Sequence, residues 1–273
     1  MTDTFTLDEV PEIHLERAPL AKVITQVRYS RTPGLVTDEG EDRIAGLLPR
    51  YPVRRQGISG QWEFGIGPDG AQTLQAGNSV TRILSDTDDQ WRISLTESSV
   101  SLETSAYESR ADFCQRTYEI LSALSAVSLP PVVDRVGLRY IDRFSGESIS
   151  EVPGYFSPTL KMLHGHIGEG LNLEYSVSDS VIKISRNVNL QVKSGLLPPM
   201  GGFDPALAPI PEPSWVLDLD IYTTQGGMAF DPDQLYETTE RFAGIIHSFF
   251  RFATTDEFIS SHRKMESASA EAK

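Results

Sequence analysis

Apolar residues alternate with polar residues in several short segments of this chain, and two longer segments repeat with the period of a helix. Alternation is clear at Val23, Val27 and Tyr29, and it is the pattern of a strand with one buried and one wet face. In 107–127 and 235–249 the apolar residues recur every three or four positions, as on a helix that packs on one side. Because helices can cover the apolar face of a sheet, the pattern predicts an α+β fold.

The order of these segments recurs after residue 129. Leu129-Pro130-Pro131 ends the first helical segment, since proline lacks the amide proton that a helix needs. Each half then consists of a strand, a short helix, a meander of strands and a long helix. Val27-Arg28-Tyr29 in the first half is echoed by Leu138-Arg139-Tyr140 in the second. The sequence therefore predicts two tandem β-α-β(meander)-α repeats with antiparallel sheets.

The two predicted sheets can join edge to edge about a pseudo-twofold axis, with both long helices packed on one face. This would remove two exposed strand edges, and it resembles the TATA-binding-protein-like and helix-grip-like folds. The predicted boundaries are an acidic N-terminal tail at 1–17, a first repeat at 18–129, a second repeat at 130–262 and a disordered tail at 263–273. A proline-rich loop at 194–214 interrupts the second repeat, and loops of this length are functional or mobile.

Composition restricts the compartment and the partners. The formal net charge is −14, which disfavours nucleic acid and anionic membranes because both repel an acidic protein. Cys114 is the single cysteine, so no intrachain disulfide can form. The N-terminus lacks the pattern of a secretory signal, and no apolar run reaches the roughly 18 residues of a membrane span. We therefore expect a cytoplasmic protein whose acidic surface suits a basic protein partner.

Charged residues on two strands of the second half are the main candidates for a site. Asp218 and Asp220 alternate with apolar residues, so both carboxylates point off one face of their strand. Arg135, Arg139 and Arg143 share one face of the strand that opens the second half, by the same period of two. If the two strands are neighbours, these charges form cross-strand ion pairs on the polar face of the sheet.

Two other interpretations of these charges stay open. Arg28 and Arg139, as a duplicated pair, indicate an anion site, and two adjacent carboxylates suit Mg²⁺. Neither a complete metal site nor a catalytic set is present, so no metal, cofactor or catalytic residue is predicted. The candidate ligand-binding residues are Arg28, Arg139, Arg143, Asp218 and Asp220.

Three further features favour structural roles. Residues 65–70 match the dinucleotide pattern G-x-G-x-x-G, but Pro68-Asp69-Gly70 is a turn signal and no helix pattern follows, which predicts a hairpin. His164 and His166 lack a third ligand at zinc spacing and indicate a solvated loop. Cys114 lies beside the apolar stripe of its helix, which predicts a buried, inert thiol.

Motifs at 18–29, 136–143 and 217–220 resemble those of a sporadically distributed family of bacterial proteins of unknown function. The resemblance extends over nearly the whole chain. Members of that family often carry Asn at the position of Asp142. No activity or catalytic residue is established for the family, so the resemblance implies none here. A patchy distribution is also that of mobile and defence-linked genes.

The sequence favours a non-enzymatic protein-binding module that forms a homodimer and acts in a bacterial defence or toxin-neutralising system. The grounds are the missing catalytic set, the acidic surface, the aromatic residues at 249–252 and the proline-rich loop. The alternative is a binding protein for a small molecule or phosphate ligand, or a metal-dependent enzyme. In that case the pocket lies between the sheet and the long helices, with the five candidate residues at its polar wall.

Overall fold

The computed structural model of the chain is built on a nine-stranded antiparallel sheet. The structure describes residues 4–8, 10–13, 15–16, 18–67, 70–161, 163–164, 166–167, 171–202 and 204–263. For 58–67 and 70–79 it describes the backbone alone. The strands are β1 (Leu20–Tyr29), β2 (Val53–Gly67), β3 (Gly70–Ser85), β4 (Trp91–Thr96), β5 (Ser99–Thr104), β6 (Val133–Ser145), β7 (Ser176–Ser185), β8 (Val188–Leu197) and β9 (Ser214–Thr223). The helices are α1 (Asp38–Leu47), α2 (Arg110–Val127), α3 (Val152–Tyr155), α4 (Pro158–Lys161), α5 (Pro232–Ala253) and α6 (Asp256–His262), with 3-10 turns at Pro33–Val36 and Gly146–Glu151.

The strand order places the first strand of each half at the centre of the sheet. The order is β2-β3-β4-β5-β1-β6-β9-β8-β7, and all neighbouring strands are antiparallel. β1 pairs with β6, and each of these strands also pairs with the last strand of its own half, β5 or β9. The α+β class and the antiparallel pairing predicted from the sequence are confirmed.

The register between β1 and β6 assigns the two faces of the sheet. Val27 lies opposite Val136 and Thr25 opposite Leu138, and all four are buried on the face that α2 and α5 cover. Because side chains alternate along a strand, Arg28 and Arg135 lie opposite each other on the other face. We call these surfaces the helix face and the open face.

The long helices begin at side-chain caps. The Ser109 hydroxyl accepts a hydrogen bond from the backbone N–H of Asp112 at the start of α2. The Asp231 carboxylate accepts one from the N–H of Asp233 at the start of α5, as an aspartate at the N-cap position typically does. Helix α2 starts at Arg110 rather than near Tyr107, so Tyr107 is free of the helix and its ring packs against Tyr140 of β6, 5.5 Å between centroids.

The proline-rich loop is shorter than predicted. Residues 194–197 continue β8, because 194–196 pair with both β7 and β9 and Leu197 pairs with β9. The connection therefore comprises 198–213. This connection crosses the open face, where Leu207 packs with Ile141, Leu197 and Val216. Residues 171–175 carry no regular structure before β7.

The described part of the predicted N-terminal tail packs on α5. The ring of Phe5 lies 5.1 Å from that of Phe249 and 5.6 Å from that of Phe252. The Ser248 hydroxyl donates to the carbonyl oxygen of Asp8 at 3.0 Å. This segment therefore covers part of the aromatic surface of the last helix. Of the predicted C-terminal tail, only Arg263 lies within the described residues.

None of the helices in the described part of the chain combines the length and the apolar character that crossing a membrane requires.

Candidate functional site

The strongest ion pair of the open face joins β6 to β9. The Arg139 guanidinium donates to both carboxylate oxygens of Asp218, from Nε at 2.8 Å and from Nη2 at 2.6 Å. Its Nη2 also lies 2.9 Å from Asp204, a residue of the 198–213 connection that the sequence analysis did not select. Asp218 is only 3% exposed. Two carboxylates thus compensate one buried guanidinium, which favours the structural interpretation of this pair.

A weaker pair lies further along the same strands. Arg135 Nη2 is 3.4 Å from Asp220 Oδ2, and the Arg135 guanidinium also lies over the ring of Tyr222, 4.6 Å from its centroid. Burial raises the pKa of Asp220, while Arg135 and Arg139 oppose that rise. Arg139 is directly opposite Asp220 in the register but bonds to Asp218, so both pairs run diagonally across the strands.

Arg28 and Arg143 lie at the two ends of this row. Arg28 is on β1 opposite Arg135, and Arg143 is eight residues beyond Arg135 on β6, about 26 Å away by strand rise. Arg143 Nη1 donates to the carbonyl oxygen of Ala208 at 2.9 Å, and burial lowers the Arg143 pKa. Arg139, Asp218 and Asp220 therefore lie close together, whereas Arg28 and Arg143 lie toward the two ends of the row. Among the described residues, no group of three or more His, Cys, Asp or Glu side chains is arranged to hold a metal ion.

The glycine pattern at 65–70, His164 and Cys114 lie in surroundings that explain them as parts of the fold. Within the described backbone, Gly67 pairs with Gly70 in the β2–β3 hairpin, so the glycine pattern does not open a helix; Pro68 and Asp69 lie outside the described residues. His164 Nε2 is 3.2 Å from the carbonyl oxygen of Ile149, which corrects its prediction as a solvated residue. Cys114 is fully buried, and burial raises its thiol pKa to about 12, as expected for an inert thiol.

A cavity of about 330 Å³ lies on the helix face. Tyr140 and Asp142 of β6 form part of its wall against the sheet, and Ala243, His247 and Arg251 of α5 form part of the opposite wall. The described N-terminal segment and the first turn of α2 complete the lining. A pocket between the sheet and the helices was expected, but the five candidate residues are on the other face. The strand period of two separates them from it.

Asp142 is the most unusual group in this cavity. It continues the row of Leu138 and Tyr140 on the helix face of β6, where it is 4% exposed. Burial, with the nearby charge of Asp218, raises its pKa from 3.8 to about 7. No hydrogen bond or ion pair joins its carboxyl group to another described residue. A buried polar group without a partner is costly, and groups of this kind cluster at functional sites.

Two tyrosines and an arginine add further polar atoms to the cavity. The Tyr140 hydroxyl donates to the Tyr107 hydroxyl at 3.2 Å. Burial raises the pKa of Tyr107 to about 12 and that of Tyr140 well above its ordinary value, so both hydroxyls keep their protons at neutral pH. Arg251 Nη1 is buried without a hydrogen-bond partner among the described residues. The cavity therefore offers donors and one titratable carboxyl within an apolar wall.

The N-terminal segment closes one side of the cavity through polar contacts. His247 Nε2 lies 3.1 Å from the carbonyl oxygen of Pro11, and Arg110 Nε lies 3.7 Å from Glu12. Burial lowers the pKa of His247, so the neutral ring donates to Pro11 through its Nε2 proton. These contacts hold the N-terminal segment against α2 and α5, so this segment forms one wall of the cavity.

A scan against protein-family models finds no match, and a search of curated proteins finds none either. The resemblance to a bacterial family of unknown function therefore stays a prediction, and the site is interpreted from its geometry.

Replacing Arg139 is expected to destabilise the fold. Arg139→Met leaves the buried Asp218 carboxylate without its cation, which lowers the free energy of unfolding by about 3–5 kcal/mol. Arg135→Met is the matched control, and its more exposed pair contributes about 1 kcal/mol or less. Urea denaturation of both variants measures the difference. Equal losses would contradict the structural interpretation of the Arg139 pair.

The buried carboxyl of Asp142 predicts a specific dependence of stability on pH. Because the folded pKa is about 7 and the model-compound value is 3.8, the folded chain keeps a proton that the unfolded chain loses between these values. Its contribution to stability is therefore greatest below pH 3.8 and falls until about pH 7. Asp142→Asn removes this fall, so the variant gains up to about 4 kcal/mol relative to the parent between pH 4 and 8.

Urea denaturation across that pH range measures the gain. Asp134→Asn, at an exposed position of the same strand, is the control and should follow the parent chain. Parallel curves for the parent and Asp142→Asn would show that this carboxyl is ionised throughout.

Proposed function

We propose that the chain binds a small, mainly apolar molecule in the helix-face cavity. The observation that carries this proposal is a cavity lined by the buried carboxyl of Asp142, which has no hydrogen-bond or ion-pair partner among the described residues. Its volume of about 330 Å³ falls within the range of small-molecule sites, which are mostly apolar with a few convergent polar groups. A ligand that bonds to Asp142 would satisfy a group that the described residues leave unsatisfied.

The polar groups of the cavity suggest how such a ligand is oriented. Asp142 donates when protonated and accepts when ionised, so the ligand atom next to it needs only one hydrogen-bonding function. Arg251 Nη1 has the charge and the unused donor to hold an anionic group. The apolar surface around Ala243, Ile246 and Phe250 suits the body of the molecule. No catalytic role is assigned to these residues.

Two fluorescent probes test this proposal. N-phenyl-1-naphthylamine is neutral and apolar, and 8-anilinonaphthalene-1-sulfonate adds a sulfonate to a similar ring system. Both are expected to bind with enhanced fluorescence. Ala243→Phe fills the cavity and is expected to weaken both by at least about tenfold, the effect of about 1.4 kcal/mol of lost contact. Unchanged titrations in this variant would exclude the cavity as the binding site.

Further variants identify the polar contact and exclude surface binding. Arg251→Met is expected to weaken the sulfonate probe and leave the neutral probe unchanged, because only the sulfonate uses the guanidinium. Arg241→Met, an exposed arginine on the same helix, is the charge-matched control. Leu171→Glu changes an apolar residue that is 71% exposed and should alter neither titration.

A protein partner is the second candidate function. It is supported by exposed apolar side chains in and around the segment before β7, since contiguous apolar surface marks interaction sites. These are Leu163, Ile167, Leu171 and Tyr175, exposed by 55%, 36%, 71% and 59%. A role in a bacterial defence or toxin-neutralising system belongs to this candidate and rests on the family resemblance.

A pull-down tests the second candidate. The parent chain is expected to capture a protein from a lysate of its source cells at low salt, and Leu171→Asp is expected to lose it because a charge enters the apolar surface. Leu47→Asp, at a position 53% exposed on α1, is the control. Equal capture by both variants would argue against this surface.

We also propose that the two halves of the chain are tandem repeats. Tandem repeats related by a pseudo-twofold axis, as in TATA-binding-protein-like and helix-grip-like folds, agree with the central pairing of β1 and β6. Gln26 lies opposite Gly137, and these residues are equivalent if Arg28 corresponds to Arg139. Both arginines then lie on the open face, as a twofold axis through that pair requires.

A further inference from the structure

Strand β7 forms one edge of the sheet and exposes its central residues. It is the last strand in the order, and within the described part of the chain β8 is the one strand that pairs with it. Residues 179–181 are exposed, and Val181 is 55% exposed. An edge strand carries a row of unpaired N–H and C=O groups that can pair with another strand. This edge is therefore able to accept a strand.

Strand β2 forms the opposite edge of the sheet, and its described side chains make ion pairs within the chain. In the part of β2 whose side chains are described, Arg54 forms an ion pair with Asp42 and Arg55 forms one with Asp89, 3.1 Å for the second. Charged residues held by the same chain protect an edge against pairing. The described side chains at the centre of β7 instead include an exposed valine between two opposite charges.

We propose that β7 pairs antiparallel with β7 of a second copy of this chain, with Val181 opposite Val181 of the partner subunit. This register places Asp179 opposite Lys183 of the partner subunit, and the twofold axis repeats that pair on the other side. All three side chains lie on the open face, since 179, 181 and 183 alternate along the strand. The result is one apolar contact between two cross-strand ion pairs.

The charges of the strand select this register over its neighbours. Centring the axis on residue 180 or 182 would place Val181 opposite Asp179 or Lys183 of the partner subunit and leave the ion pairs unmade. Asp179 Oδ1 accepts a hydrogen bond from Gln191 Nε2 at 2.8 Å, which orients the carboxylate, and Oδ2 is the acceptor that the new pair uses. An isologous contact of this kind closes as a dimer.

Overall charge also favours this edge as the contact between copies. The chain carries a formal charge of −14, so two copies repel each other at most approaches. Within Ser176–Ser185 the charged residues are Asp179 and Lys183, and they cancel. The β7 edge therefore brings two acidic molecules together along a neutral strand.

Cysteine cross-linking tests the register directly. Opposite Cα atoms in an antiparallel pair are about 4.5–5.5 Å apart, a distance that a disulfide spans. Val181→Cys is expected to form a disulfide-linked dimer with oxidised glutathione, which accepts the two electrons, and the native Cys114 is buried. Ser185→Cys, exposed on the same strand, is the control, because its two copies lie about 27 Å apart in this register. Equal cross-linking of both variants would overturn the register.

A charge exchange tests the ion pairs without cysteine. Asp179→Lys alone and Lys183→Asp alone place like charges opposite each other, and each is expected to weaken the dimer by about tenfold. The combined Asp179→Lys/Lys183→Asp variant restores opposite charges and is expected to recover dimerisation. Glu237→Lys, exposed on α5, repeats the change of Asp179→Lys away from the edge and should leave the dimer intact.

Sedimentation equilibrium over a range of concentrations measures each dissociation constant, and thermal unfolding verifies that the exposed substitutions leave the fold intact. A chain that stays monomeric, or a double variant that does not recover, would overturn the proposal. The proposal would also be overturned if β7 paired with a strand of a different protein. The purified chain would then sediment as a monomer and would form a complex only when the other protein was added.

Discussion

The antiparallel pairing of β1 with β6 is the interaction on which the rest of the structure depends. Each strand also pairs with the last strand of its own half, so the central pair joins two meanders into one sheet. Its register sets which side chains face α2 and α5. A one-residue shift of β1 against β6 would turn β1 over, moving Val27 to the open face and Arg28 under the helices. The apolar core and the charged row are therefore two consequences of one register.

Two aspartates near the centre of the sheet, one on each face, differ in their roles. Asp218 points to the open face, where Arg139 donates to both of its carboxylate oxygens and also pairs with Asp204 of the 198–213 connection. Asp142 points to the helix face, where burial raises its pKa to about 7 and no described residue compensates it. The first carboxylate contributes to stability because its charge is paired. The second decreases stability as the pH rises, which is a cost that a ligand-binding role explains.

Several features were predictable from the sequence because they depend on local patterns. Alternation identified β1, β6 and β9, because the residues that carry this signal are close together in the chain. The five candidate residues were placed on one polar face by the same logic. The residues that line the cavity could not be predicted, because they belong to β6, α2, α5 and the N-terminal segment, which meet only in three dimensions. Asp204 was missed for the same reason.

By itself, the sequence determined the α+β class, the antiparallel strands and the long helices, since strand and helix periods are written in neighbouring residues. Tertiary structure alone decided that the charged row lies on the face away from the cavity, and that an N-terminal segment forms part of the cavity wall. It also decided that Asp142 is buried with no hydrogen-bond or ion-pair partner among the residues that the structure describes. Burial and pairing depend on residues that are distant in the chain. The pKa of a carboxyl group such as that of Asp142 therefore depends on which face of the sheet its strand register gives it.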